Sequence, residues 1–325
     1  MRVRHFRTED LPAVLALWNR CMGEQFPLDA PLFEQNVLKD AHFDPEAVWV
    51  AEDERGNLLA YAHAKVCKEP LGSAGMFPEQ GWVGALAFEP DDAGLEAGRA
   101  VLQTALDWLK AQGRKRVSYG SDPAHLFPGV PAEQTLHQQL LQEAGFTISD
   151  HIVVDLVRDL ADYRVPDEVE ANLQRLREEY IIRSCTPQDV PALLRFLQQE
   201  FPGRWYYETV KRLDVEDTPR DILILVHGDE VHGFCHTFWR GSKRIGPSIY
   251  WRGLLGEAYG GLGPIGVAAS TRGKGLGLAL LCKGVEYVKS QGATRMAIDW
   301  TDLVDFYGKI GFRVWKRYHS ASLSL

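Results

Sequence analysis

A chain of 325 residues, 45% of them hydrophobic and 25% charged, is globular and longer than one core of ordinary size needs, which predicts two domains. Its formal net charge of −8 excludes a general binder of nucleic acid or of anionic membrane, since both require broad basic surfaces. No run approaches the roughly 18 apolar residues of a membrane span, and the N-terminal MRVRHFRTEDLPAV has no signal-peptide core. The five cysteines (Cys21, Cys67, Cys185, Cys235, Cys282) are scattered without metal-knuckle spacing. A cytoplasmic protein with reduced thiols and no metal site is expected.

Taken in chain order, the elements repeat. The helix DLPAVLALW at Asp10 returns as DVPALLRFL at Asp189, and KAQGRKRVSYGSD at Lys110 returns as KSQGATRMAIDWTD at Lys289, both 179 positions on. Two matches so far apart with one offset predict two copies of one domain. Between them, RDLADYRVPDEVEANLQRLREEY (Arg158 to Tyr180) is rich in helix formers and poor in apolar residues, and reads as a linker helix with no role beyond joining the copies.

The second copy opens with the strand YIIRSC, then the helix DVPALLRFLQQEF with Asp189 as its N-cap, then the helical stretch WYYETVKRLD. DILILVHGDEVHGFCHTFW reads as a hairpin around HGDE. The apolar strand LGPIGVAA, the loop STRGKG and the helix LGLALLCKGVEYVKSQGA follow, the last with Leu278, Leu281, Cys282, Val285 and Val288 on one face. Strand RMAIDW, helix DLVDFYGKI and strand FRVWKRYHSASLSL close the copy. The order β-α-α-β-β-β-α-β-α-β predicts an α/β domain whose mixed, mostly antiparallel sheet is flanked by helices.

The glycine loop carries the chemistry. It is no P-loop, because no hydroxyl residue directly follows Lys274. GLGPIG (Gly261 to Gly266) matches a dinucleotide fingerprint in letters only, since a strand rather than a helix continues it, and Pro264 suits a strand edge or bulge. What remains is a strand, then R-x-x-G-x-G at Arg272, Gly275 and Gly277, then an amphipathic helix, with FYGKIGF (Phe306 to Phe312) some 30 residues on. In these features the chain resembles the GNAT superfamily of N-acetyltransferases. The resemblance covers the second copy well, from about Ile181 onward, and the first more weakly.

The resemblance implies a tandem of two such domains: a degenerate one over 1–158, a linker helix over 159–179, and an intact one over 180–325. It implies acetyl-CoA as co-substrate. Backbone N–H groups of Arg272, Gly273, Lys274, Gly275, Leu276 and Gly277 would hold its pyrophosphate at a helix start, where bare backbone and the helix dipole favour an anion. Main-chain groups of Ile265, Gly266 and Val267 would pair with the pantetheine arm. Tyr307 would act as the acid, a neutral phenol being suited to protonate a departing thiolate. Trp300 stands where the family commonly has Asn, which predicts an altered pocket wall. For a base, Glu257, Asp299 and His236 are candidates; His232 and His236 lie roughly 13 Å apart along a strand and share no ion.

In the first copy the offset lands on Ala93, Glu96 and Gly98, so the Arg is lost and a carboxylate replaces a loop glycine. Aligning AGF with IGF lowers the offset to 166 and places Leu141 at the Tyr307 position. The first domain is therefore expected to be a scaffold or substrate lid. The reading is an N-acetyltransferase that passes acetyl directly to an amine in a ternary complex, the alternative being a non-catalytic acyl-CoA-binding module. Its acceptor would be a small-molecule amine, or else a protein N-terminus or lysine, with Trp205, Tyr206, Tyr207, Trp239, Tyr250 and Trp251 before the loop as an aromatic pocket. Nucleic acid and membrane are not expected partners, and the oligomeric state is left open.

Overall fold

In the computed structural model, which describes residues 1–325 apart from the side chain of Ser73, the first repeat runs β1 (Arg2–His5), α1 (Leu11–Cys21), α2 (Ala30–Phe33), β2 (Val48–Glu52), β3 (Leu58–Val66) and β4 (Gln80–Phe88). It continues through α3 (Asp92–Ala111), β5 (Arg116–Tyr119), the two-residue β6 (Val130–Pro131), α4 (Thr135–Glu143) and β7 (Thr147–Asp159), after which comes α5 (Asp167–Leu176). The second repeat comprises β8 (Ile181–Ser184), α6 (Val190–Glu200), α7 (Arg204–Leu213), β9 (Ile222–His227), β10 (Glu230–Trp239) and β11 (Tyr259–Val267). It ends with α8 (Leu276–Ser290), β12 (Arg295–Thr301), α9 (Val304–Gly308) and β13 (Arg313–Ser324). Apart from β6, which lies in the proline-rich insertion, both repeats have the expected order.

The repeat reaches into local chemistry. Each first strand carries an arginine whose guanidinium grips the aspartate before the first helix: Arg4 Nη1 to Asp10 at 2.7 Å, and Arg183 Nη1 to Asp189 at 2.6 Å. Asp189 does not cap α6 directly, as its place before the helix suggested. Instead it closes a capping box one turn earlier, accepting from Thr186 N at 2.8 Å and Thr186 Oγ1 at 2.7 Å, while Pro191 supplies the fixed φ suited to the first turn of α6. Of the apolar face predicted for α8, Leu281, Cys282, Val285 and Val288 are fully buried and Leu278 only partly, while Ala279 and Leu280, outside that set, are fully buried too.

Two compact units result. Unit 1 holds residues 1–70, 76–153 and 316–325; unit 2 holds 71–75 and 154–315. They are discontinuous in sequence, unlike the stretches 1–158 and 180–325 read from the repeat. In unit 1 the sheet order is β1-β2-β3-β4-β5-β13, with only β4 and β5 parallel. In unit 2 it is β8-β9-β10-β11-β12-β7, with only β11 and β12 parallel. The closing strand of each repeat thus completes the sheet of the other unit. The core of unit 1 packs α3 on β2, β3 and β4 through Val101, Leu102, Ala105 and Leu109; that of unit 2 packs α8 on β10 and β11 around Leu262 and Cys235. Among the described residues no helix is long and apolar enough to cross a membrane, and no three His, Cys, Asp or Glu side chains are placed to share a metal ion.

Candidate active site

The site begins where two parallel strands part. β11 and β12 pair from Tyr259 with Arg295 to Leu262 with Ile298, and there the pairing ends. On β11, Gly263 takes φ +134, and on β12 Trp300 takes φ +41, while the pairing of β12 with β7 slips between Ile298 and Thr301. Trp300 N donates to Asp155 Oδ1 at 3.1 Å, which holds the bend. Pro264 sits at the break, in keeping with its expected place at an irregularity. Ile265, Gly266 and Val267 still pair with Cys235, Phe234 and Gly233 of β10, but their other edge has no partner strand among the described residues, and all three are half-buried. An unpaired strand edge of this kind is a template for an extended amide-bearing chain.

Beyond β11 the loop runs from Ala268 to Gly275. Its start is tied down: Ala269 N donates to Glu200 Oε2 at 3.0 Å and Thr271 Oγ1 to Ala268 O at 2.9 Å. Gly273 and Gly275 have φ +78 and +77, a left-handed backbone in which side chains are strained. Gly277 lies inside the helix, where a methyl would meet only Val267 Cγ2 at 3.9 Å and Phe306 Cζ at 4.0 Å, in ordinary contact. No side chain caps α8 and its first turn carries no acid, so the first-turn amides of Leu276, Gly277 and Leu278 lack both helical and side-chain partners. Arg272, Gly273, Lys274 and Gly275 are exposed, whereas the side chain of Leu276 is buried against Leu176 and Leu225 and offers only its main chain. An uncapped, positively polarised helix start beside bare glycines fits a pyrophosphate.

At the other end of the open edge lies Tyr307, 5% exposed, on α9. Burial pushes its phenol above the ordinary range, the nearby Cys235 and Asp299 add to this, and a hydrogen bond from Thr301 opposes it. Next to the break stand three carboxylates that local sequence signals did not group: Asp155 on β7, Glu208 on α7 and Asp299 on β12. A methyl group at Gly263 would come within 3.0 Å of Asp299 Oδ1. Burial holds the Asp299 carboxyl well above its usual range, and the charges of Asp155 and Glu208 raise it further. Glu208 is raised by burial, against the pull of Arg204 and Arg244. The Arg204 guanidinium lies 4.9 Å from the centre of the Trp300 ring.

The other candidate bases are elsewhere. Glu257 is 94% exposed, 3.6 Å from Arg240, and His236 is buried against Thr209 Oγ1 at 3.1 Å, its imidazole held neutral chiefly by burial. Of the aromatic residues before the loop, Trp205 lies under β11, where a methyl on Gly266 would meet its ring at 3.0 Å, while Tyr250 and Trp251 are 5% and 3% exposed.

In unit 1 the equivalent place is filled by the protein itself. The turn from β4 to α3 is only Glu89 to Asp91, and Asp91 caps the helix, accepting from Gly94 N at 2.8 Å. Leu86, which the offset equates with Ile265, has its carbonyl taken by His137 Nε2 at 3.1 Å. Leu141 is fully buried in the core.

A chain with a β11–β12 split, an uncapped glycine loop and this element order has the fold of an acyltransferase. The family model described as the acetyltransferase (GNAT) family matches residues 11–126 and 190–312, two matches that begin 179 residues apart, and the chain belongs to that family. A solved glucosamine N-acetyltransferase region of a fungal multi-domain β-N-acetylglucosaminidase matches 99% of this chain and 38% of its own, with 25% identity and a TM-score of 0.87. A tandem GNAT protein of the clavulanic acid biosynthesis pathway matches 99% of this chain and 98% of its own at 16% identity, TM-score 0.65. Mycothiol acetyltransferase of Propionibacterium freudenreichii subsp. shermanii is 26% identical over 151 residues, 46% of this chain and 43% of that protein. The chain thus spans less than half the length of the first and third of these.

Proposed function

We propose that unit 2 is an acetyl-CoA-dependent N-acetyltransferase whose acceptor is a cationic, hydroxyl-bearing small amine of the amino-sugar class. The observation that carries this reading is the open edge of β11, which runs from an uncapped helix start to a cluster of three carboxylates. When bound, acetyl-CoA supplies an acyl carbon activated as a thioester. The chain does the rest. Amides of the loop from Arg272 to Gly277 hold the pyrophosphate, and main-chain groups of Ile265, Gly266 and Val267 hold the pantetheine arm and orient the acyl carbonyl.

Asp155 and Glu208 attract the acceptor ammonium, and Asp299, whose raised pKa makes it a better base than an exposed aspartate, takes its proton. The freed amine attacks the acyl carbon, the C–S bond breaks, the Tyr307 hydroxyl gives its proton to the leaving sulfur, and the second proton that the acylated nitrogen sheds restores the Tyr307 hydroxyl. The acceptor class rests on the carboxylates, on the Trp300 and Trp205 rings, and on the similarity to the glucosamine N-acetyltransferase region. Incubating the protein with acetyl-CoA and a panel of glucosamine, aliphatic amines and peptides, with mass detection of products, tests it; acetylation of peptides alone would overturn the acceptor class.

The enclosure of Tyr307 favours a second reading, a non-catalytic acyl-CoA-binding module. Coenzyme binding without turnover on any amine of the panel would establish that one instead.

A further inference from the structure

We infer that Asn172, on the helix that links the two repeats, is a positioning residue for the coenzyme loop. The linker is more than a tether: Val169 and Leu173 of α5 pack into the core around α8, and Leu176 packs against Leu276 and Leu225. This seats Asn172 beside the loop, where its Nδ2 donates to the carbonyl oxygen of Lys274 at 3.0 Å. Arg175 Nη2 donates to Asn172 Oδ1 at 2.6 Å, which fixes the amide so that its NH2 faces the loop. Tyr180, just past α5, receives the Lys274 ammonium at 3.1 Å.

The consequence follows from peptide geometry. In a planar trans peptide the carbonyl oxygen and the next N–H point in opposite directions. Holding the Lys274 oxygen towards α5 therefore turns the Gly275 N–H away from α5. Gly275 is left-handed, and a glycine there rotates its preceding peptide at little steric cost, so an external tie is what selects one orientation. A methyl at Gly275 would lie 2.7 Å from Asn172 Nδ2, which shows how closely the two fit.

This rests on the reading of the loop as the coenzyme cradle. The test is calorimetric titration of coenzyme A into the full chain, steady-state kinetics in acetyl-CoA, and thermal unfolding of the free protein, for wild type, Asn172→Ala, Asn172→Asp and Arg175→Ala. Asn172→Asp keeps the shape and removes the donor. The expected result is a Kd for coenzyme A and a KM for acetyl-CoA raised about tenfold in both Asn172 variants, the size of one well-placed hydrogen bond, with a smaller rise in Arg175→Ala. kcat at saturation and the melting temperature stay at the wild-type values. Asn172 variants that bind as wild type does, or that lose binding only in step with melting temperature, overturn the inference. A wild-type chain that does not bind coenzyme A overturns the reading of the loop, and this inference with it.

Discussion

The imidazole of His137 donates from Nε2 to the carbonyl of Leu86 at 3.1 Å, at the place in unit 1 that corresponds to the open strand edge at Ile265 in unit 2. A carbonyl only accepts, so the proton is on Nε2. With Asp91 on the amides of α3, the first repeat satisfies from within groups whose counterparts in the second repeat have no partner among the described residues.

Coenzyme A should therefore bind with a stoichiometry of one per chain, measured by calorimetry. Asp91→Ala should lower stability by about 1 kcal/mol, the usual worth of an N-cap, and leave that stoichiometry unchanged. Two equivalents in the wild type would show that unit 1 has kept a site.

His137 is buried neutral, and burial lowers its pKa from 6.5 to about 4, against the hydrogen bond to Leu86. A depressed folded pKa contributes stability that is complete above 6.5 and is lost as pH falls towards 4. The urea midpoint should drop over that window, and His137→Gln should show a shallower drop. An unchanged slope in the variant would mean that the titration belongs to other groups.

Gly275→Glu imports the residue found at Glu96 in the first repeat. The change strains a backbone at φ +77 and places a carboxylate where a pyrophosphate would lie, so coenzyme binding should fall beyond calorimetric detection. Binding at the wild-type Kd would place the cradle somewhere else.

For Tyr307→Phe, kcat should fall by about a hundredfold or more, the range of a lost general acid, while KM for acetyl-CoA changes little. Losing the hydrogen bond with Thr301 should cost about 1 kcal/mol of stability. A kcat within twofold of wild type would reduce Tyr307 to a packing residue.

Asp299 has a raised pKa, so its ionisation opposes folding: stability is full below the ordinary aspartate range and declines as pH rises through the folded value. Activity has the opposite sign, because only the ionised form is a base. kcat/KM should climb with pH through the same range, and Asp299→Asn should lose that limb while becoming less sensitive to pH in its unfolding midpoint. An intact pH–rate limb in the variant would assign the base role to another group.

Much of the fold was legible because its signals are local. The apolar period of α8, the hairpin at His227–Glu230 and the aspartates at 10 and 189 each reflect interactions within a few residues, and the 179-residue offset repeated the helix that follows each of those aspartates. Asp189 holds the N-cap position of α6 as its place suggested, but its side chain serves the capping box of the preceding turn, and the two arrangements share the same letters until the backbone is seen.

The carboxylate cluster was not legible. Asp299 was one base candidate among three, Glu208 was a letter inside a helix, and Asp155 lay in the repeat judged inactive. They meet because β7 crosses to pair with β12, and strand exchange has no local signature. Asn172 was hidden for the same reason, inside a helix whose composition suggested only a connector.

By itself, then, the sequence determined the repeat, the element order, the family resemblance and the glycine loop, all of which are read from residues close together in the chain or from their repetition. Only the tertiary structure decided which strands close each sheet, which carboxylates face the split and what holds the loop. Those depend on pairings between distant residues, chosen by burial of the whole core and not by any short stretch of chain.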